Sequence, residues 1–278
     1  MRLACEIMKI NEVYMRRALR LAANGRGFTA PNPMVGAVIV AAGGKVIGEG
    51  WHRRCGEGHA EVNAVASVRE SDRHLLADST MYVTLEPCSH YGKTPPCSRL
   101  IVETGIPRVV VGAGDPNPKV NGRGIAMIRE SGAEVVTGVL ADESIALNRV
   151  FFTAQTLHRP YITLKWAQSA DGFMDARRGD GTPAYAFSNP QTRLTTMKLR
   201  AENEAILTTA ATVNADNPRL TLRGWPGREP RPFIIDRHGK TNPVAALLSA
   251  ATVLSDDNPF DTLFRDFGVS SVLVEAGP

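Results

Sequence analysis

Short β-rich runs alternate with segments of helical period along this chain, and that alternation restricts it to layered α/β folds, in which strands form a sheet and helices cover its faces. Val35 to Ala41 and Lys45 to Trp51, around Gly43-Gly44, read as a hairpin. A helix follows over His59 to about Val68. Met81 to Leu85 and Arg108 to Ala113 read as buried strands, separated by a helix over Cys97 to Thr104. The pattern continues with a helix at Gly124 to Ser131 and a strand at Glu134 to Thr137. Ahead of them, Asn11 precedes Tyr14, Met15, Ala18, Leu19, Leu21 and Ala22 at helical spacing, closed by Asn24-Gly25, which predicts a capped amphipathic helix.

A helix over Asp142 to Thr156 runs into Leu157-His158-Arg159-Pro160, and the proline opens a new apolar strand, Tyr161 to Trp166. Beyond it, strands at Ala205 to Thr208, Phe233 to Asp236, Thr252 to Leu254 and Val269 to Glu275 alternate with helices near Ser188 to Ala201 and Phe260 to Phe267. The length of 278 residues exceeds the usual single domain, so two α/β domains are expected, 1–157 and 160–278. With 43% hydrophobic and 22% charged residues each can bury its own core, which excludes wholesale disorder or a fibrous repeat.

No stretch approaches the ~18 apolar residues of a membrane span, and Met1 to Ile10 carries Glu6 and Lys9 and lacks the apolar core of a signal peptide. The four cysteines all lie within the first 97 residues and are too few for a disulfide scaffold, which suggests reduced thiols or ligands. A net charge of +4 fits a phosphorylated metabolite as easily as nucleic acid, but there is no basic cluster and only 6% of residues are aromatic. These features point to a cytoplasmic enzyme without a nucleic-acid or membrane partner.

The chemistry is concentrated in His59-Ala60-Glu61 at a helix start, Pro87-Cys88 at a strand end and Cys97 opening the next helix. One imidazole and two thiolates are a good zinc shell, and three protein ligands leave one tetrahedral position for water, whose pKa falls to about 7 on zinc. Glu61, on the first helical turn, can take that proton and hand it to a leaving amine, which is hydrolytic deamination. A structural site competes with this, because Cys55 or His90 could supply a fourth ligand. The lack of paired C-x-x-C knuckles and the carboxylate beside the histidine favour catalysis. The deaminase signature ends in P-C-x-x-C, whereas eight residues separate Cys88 from Cys97 here, and Lys93 in that longer loop offers a cation to an anionic substrate group. Gly112-Ala113-Gly114 reads as a turn, since position 117 is Asn where a dinucleotide fingerprint needs Gly, and Gly92-Lys93-Thr94 and Gly239-Lys240-Thr241 lack the upstream Gly of a P-loop.

Beyond the metal motif, Pro31-Asn32-Pro33-Met34-Val35-Gly36, His59-Ala60-Glu61-Val62, the run from Thr84 to Cys97, and Asp115-Pro116-Asn117-Pro118 resemble the deaminase blocks of the bifunctional deaminase/reductase family of riboflavin biosynthesis. Thr163-Leu164-Lys165, Ser169-Ala170-Asp171-Gly172, Leu199-Arg200-Ala201, Thr212 to Pro218 and Val274 to Pro278 resemble its reductase half. The resemblance implies two three-layer α/β domains, the first cytidine-deaminase-like and the second dihydrofolate-reductase-like. It implies that His59, Cys88 and Cys97 hold zinc, that Glu61 shuttles protons, and that Asn32 and Lys93 hold a diaminopyrimidine ribosyl phosphate. In the second domain it implies NADPH against Ala167, Thr212, Asp216 and Gly277, and substrate against Lys165, Arg200, Leu220, Arg223 and Glu275. NADPH would reduce the ribosyl group to ribityl. Arg200 and Arg223 suit a phosphate, to which a guanidinium donates two parallel hydrogen bonds. A homo-oligomer is a further implication.

The chain departs from the family at Ala186, where a tryptophan is usual, and it ends at Gly277-Pro278 inside a turn that the family follows with a helix and further strands. The expectation is therefore a reductase domain that is incomplete and reduces weakly or not at all. The competing enzyme reading is another zinc deaminase, acting on a cytosine or guanine derivative or on tRNA adenosine, with a non-catalytic second domain.

Overall fold

The computed structural model describes residues 2–91, 95–117, 120–175, 182 and 185–277, with backbone only for 2–11. The chain divides into two units between Thr156 and Leu157. The first contains α1 (Arg2–Ala23), β1 (Gly36–Ala41), β2 (Val46–Trp51), α2 (Ala60–Ala66), β3 (Ser79–Leu85), α3 (Cys97–Glu103), β4 (Arg108–Ala113), α4 (Arg123–Glu130), β5 (Glu134–Thr137), α5 (Ala141–Leu147) and α6 (Arg149–Leu157). Its sheet order is β2-β1-β3-β4-β5. β1 runs antiparallel to β2 and β3, whereas β3, β4 and β5 are parallel.

Period-two alternation on strands apolar throughout explains why this sheet is covered on both faces. Val38 and Val40 of β1, with Tyr82 and Val110, meet Met15 and Ala18 of α1. Ala37 and Ile39, with Met81, Val83, Val109 and Val111, meet Ala60 and Ala64 of α2, Ile101 of α3 and Ile128 of α4. A glycine sets the approach of α1: a Cβ on Gly36 would stand 2.0 Å from the Ala18 carbonyl oxygen.

The second unit contains β6 (Tyr161–Leu164), α7 (Pro190–Ala201), β7 (Ala205–Thr209), α8 (Ala210–Asp216), β8 (Arg231–Ile235), β9 (Thr252–Leu254), α9 (Pro259–Arg265) and β10 (Ser271–Val274). Its sheet, β6-β10-β7-β8-β9, is parallel throughout. Leu207, Phe233 and Val272 pack on Leu263 of α9, and Ile206, Ile234 and Leu273 pack on Val213 of α8 with Leu199 of α7 alongside. Both units are thus the layered α/β domains that the alternation predicts, with helices on both faces of each sheet, as the three layers implied by the resemblance require.

Four expectations need correction. α1 begins at Arg2 and continues through Asn11, because the strong helix formers before it outweigh the capping preference of asparagine. The helix expected over Asp142 to Thr156 breaks at Asn148, whose backbone (φ −103°, ψ 23°) leaves the helical region. Gly112 and Ala113 end strand β4 and form no turn; a Cβ on Gly112 would lie 2.4 Å from Ser144 Oγ and 2.5 Å from the Thr84 carbonyl oxygen, so the glycine serves close packing. The helix α8 was not expected; it is short and rich in Thr, Asn and Asp, and its first turn is capped by Thr209 Oγ1, which accepts from Thr212 N–H at 3.3 Å.

Candidate active sites

Three element ends converge in the first unit. His59 is the N-cap residue of α2, Cys88 follows Pro87 beyond β3, and Cys97 opens α3. His59 Nδ1 lies 3.6 Å from Cys88 Sγ and 3.4 Å from Cys97 Sγ, and the three ligand atoms all fall within 4.8 Å of one another. Tetrahedral zinc bonded to nitrogen and sulfur places those atoms about 3.6 Å apart, so the donor set fits zinc in both chemistry and spacing. Among the described residues no further His, Cys, Asp or Glu joins the group, and Cys55 is exposed. The shell is the open, three-ligand kind.

Glu61 sits in the first turn of α2 and is 3% exposed; burial pushes its carboxyl up to about 7. The hydrogen bond shared by the two thiols lowers Cys88 against the opposing effect of its burial, whereas at Cys97 the same bond and burial both raise it. Cys97 N–H also donates to Cys88 Sγ at 3.3 Å, and a hydrogen bond with Cys88 raises His59. The pair therefore carries a proton that a divalent cation would displace.

A cavity of about 200 Å³ opens above these groups, lined by Asn32, His52, His90, Asp115, Asn117 and Phe151 among others. Asn32 is on the wall of this cavity, its Nδ2 3.4 Å from His52 Nε2. His52 Nδ1 is 3.2 Å from the Gly58 carbonyl, its ring meets His59 edge to face at 5.4 Å, and burial lowers its pKa. Burial likewise pushes Asp115 up to about 6. Beneath Asp115 the carboxylate of Glu86, 5% exposed, accepts from the N–H groups of Asp115 (3.3 Å), Gly122 (3.0 Å), Gly124 (3.1 Å) and Ile125 (3.4 Å). Sequence reasoning passed over His52 and Glu86. Their signals were a histidine seven residues before the metal histidine, directly after a strand, and a carboxylate immediately before Pro87-Cys88. Lys93 lies outside the described residues.

In the second unit two adjoining cavities, of about 490 and 440 Å³, share Lys165, Ala167, Tyr185, Phe187, Arg200 and Glu275. Arg223 lines the first; Thr212, Asp216, Leu220 and Gly277 line the second. Every residue the resemblance assigns to this half is therefore brought to one place. Gly277 N–H donates to Thr212 Oγ1 at 3.0 Å, tying the last described residue to α8. Arg200 is buried, and its guanidinium is already engaged: Nε and Nη2 donate to Glu275 at 2.7 and 3.0 Å, and Nη1 to the Thr221 carbonyl at 2.8 Å. Lys165 Nζ stands 3.7 Å from the same carboxylate. Tyr185 and Phe187 flank Ala186 with ring centroids 4.7 Å apart.

An open His-Cys-Cys shell over a buried glutamate, on a sheet covered on both faces, defines a zinc-dependent deaminase domain, here joined to a second α/β domain of reductase type. Residues 8–113 match the cytidine and deoxycytidylate deaminase zinc-binding region, and residues 160–278 match the RibD C-terminal domain. The riboflavin biosynthesis protein RibD of Actinobacillus pleuropneumoniae is 40% identical over 270 residues, 95% of this chain and 70% of that protein. RibD of Escherichia coli is 41% identical over 248 residues, covering 84% of this chain and 65% of that protein. A Thermotoga maritima structure described as a diaminohydroxyphosphoribosylaminopyrimidine deaminase/5-amino-6-(5-phosphoribosylamino)uracil reductase superposes with a TM-score of 0.87 at 37% identity, covering 97% of this chain and 81% of that one. The chain belongs to the RibD family, the bifunctional deaminase/reductases of riboflavin biosynthesis. No described helix is long and apolar enough to cross a membrane.

Proposed function

We propose that residues 1–157 deaminate a diaminopyrimidine ribosylamine phosphate and that residues 160–278 reduce its ribosyl group to ribityl with NADPH. The observation that carries this is the buried Glu61 carboxylate beside the open His59, Cys88 and Cys97 shell at the floor of a cavity with polar walls. Zinc bound there supplies the Lewis acid that makes a water nucleophilic at neutral pH. Glu61 takes that water's proton as its oxygen bonds to the amine-bearing ring carbon, and returns the proton to the nitrogen, which departs as ammonia. Asn32, His52, Asp115 and Asn117 present the donors and acceptors that orient the pyrimidine edge. Lys93 holds the phosphate.

In the second unit Ala167, Thr212, Asp216 and Gly277 line the place for NADPH, which supplies a hydride when bound. Lys165, Leu220, Arg223 and Glu275 face the sugar phosphate. Arg200, engaged by Glu275, acts by holding that carboxylate in place, and Arg223, which lines the same cavity, meets the phosphate. The same reading makes the chain a cytoplasmic homo-oligomer acting on a small molecule, without nucleic-acid or membrane partners.

The test is the product mass after incubating the purified chain with the diaminopyrimidine ribosylamine phosphate, zinc and NADPH. Exchange of one amine for a carbonyl oxygen with gain of two hydrogens is the expected result, in place of the weak or absent reduction expected from the sequence, because every residue assigned to the reductase half lines the two adjoining cavities. Exchange without added hydrogen would remove the reductase assignment, and an unchanged mass with zinc bound would turn the search to other deaminase substrates.

A further inference from the structure

We propose that Asn148 is a positioning residue of the deaminase site, tying the loop that carries Asn32 to the helix that carries Phe151 and so fixing two walls of the cavity relative to each other. The inference rests on the deaminase reading above. The loop between Pro31 and β1 is half-buried from Asn32 to Val35 and has no strand paired beside Met34, so that residue's peptide groups need partners from elsewhere. Asn148, 114 positions away, supplies both. Its Oδ1 accepts from Met34 N–H at 2.8 Å and its Nδ2 donates to the Met34 carbonyl at 2.8 Å, as a neighbouring strand would. The same amide nitrogen lies 3.4 Å from the Ser144 carbonyl of α5. Asn148 is 2% exposed, so these are interior bonds.

Only a side-chain amide fits this task, because it offers one acceptor and one donor side by side. The break between α5 and α6 belongs to the same device. Asn148 leaves the helical region at that point, and its own carbonyl accepts from Phe152 N–H at 3.0 Å to start α6. Three residues on, Phe151 enters the cavity. Two residues before Met34, Asn32 enters it from the other side and faces His52. Other loop bonds, Asn32 N–H to the Thr29 carbonyl at 2.8 Å, Gly36 N–H to Thr84 Oγ1 at 3.2 Å and His52 N–H to the Val35 carbonyl at 2.9 Å, fix the loop's two ends but leave Met34 to Asn148.

The experiment is a double-mutant cycle on the zinc-loaded full chain, with Asn148→Asp, Asn148→Ala and Asn32→Ala, read by steady-state deamination. Asn148→Asp keeps the acceptor and loses the donor, so it tests the idea even if Asn148→Ala fails to fold. A misplaced binding wall raises KM about tenfold or more with kcat nearly kept, and in the Asn32→Ala background the Asn148 substitution adds less than about threefold. Independent, multiplying effects of the two substitutions, or a loss confined to kcat, would overturn the proposal. If the wild-type chain does not act on this substrate, the functional reading fails by itself. The tie is then judged by NMR of the zinc-loaded chain. Shifts of the Asn32 side-chain amide and His52 ring signals in Asn148→Asp support it, and unmoved signals refute it.

Discussion

Replacing Glu86 by Gln tests how the site's far wall is built. The two carboxylate oxygens divide four backbone donors between them: Oε1 takes Gly124 and Ile125, and Oε2 takes Asp115 and Gly122. Gly122, the N-cap residue of α4, has no side chain, so Glu86 replaces a cap from outside the helix. An amide turns one oxygen into an NH₂ that confronts two of these donors. Each buried donor left without a partner costs about 1–3 kcal/mol, so two give roughly 2–6 kcal/mol. Loss of a negative charge at a helix N-terminus adds about 0.3–1 kcal/mol. A central value near 4 kcal/mol, at roughly 2–4 °C per kcal/mol for a unit of this size, lowers the melting temperature by about 10 °C. Differential scanning calorimetry of the zinc-loaded chain reads the shift, and amide exchange at Asp115, Gly122, Gly124 and Ile125 localises it. A change below about 2 °C with all four amides still protected would refute the reasoning.

Three further outcomes are expected. Glu61→Gln keeps zinc and fold but lowers kcat for deamination by about 10²–10⁴-fold; a loss of metal in place of a loss of rate would make Glu61 structural. Arg200→Lys gives up the paired hydrogen bonds to Glu275 and leaves a partly buried carboxylate poorly matched, so unfolding titrations should show a loss of about 2 kcal/mol together with weakened NADPH-dependent turnover, and an unchanged midpoint would contradict it. The Asp236 carboxylate accepts from Thr241 Oγ1, Lys240 N–H, Thr241 N–H and His238 N–H, which hold it well below the usual carboxylate range. Its folded pKa is depressed, so its contribution is present above the unfolded value and fades as pH falls below roughly 4. The stability gap between wild type and Asp236→Ala should accordingly be constant near neutrality and shrink in acid; a gap that widens in acid would reverse the assignment.

The strands and the metal shell were legible because each depends on local signals. Apolar runs at strand spacing mark β1, β3 and β4, and His59, Cys88 and Cys97 fall at element ends where side chains can converge. What escaped depends on partners far away in the chain. Asn148 reads as one more residue in a helix until Met34 is seen against it, and Glu86 reads as a surface carboxylate until the loop after β4 folds over it. Gly112 looks like punctuation, yet it lies within a strand pressed against Ser144. Arg200 illustrates the converse: the resemblance assigns it to the substrate, but the sequence does not show that Glu275 and Thr221 occupy its donors.

The most direct test of the central claim is deamination in water enriched in heavy oxygen, with wild type and Glu61→Gln compared by product mass. Hydrolysis at this site predicts one heavy oxygen in each wild-type product molecule, at the carbon that lost the amine, and almost no product from the Glu61→Gln variant. Product lacking the heavy oxygen, or formed equally fast without the Glu61 carboxylate, would contradict it.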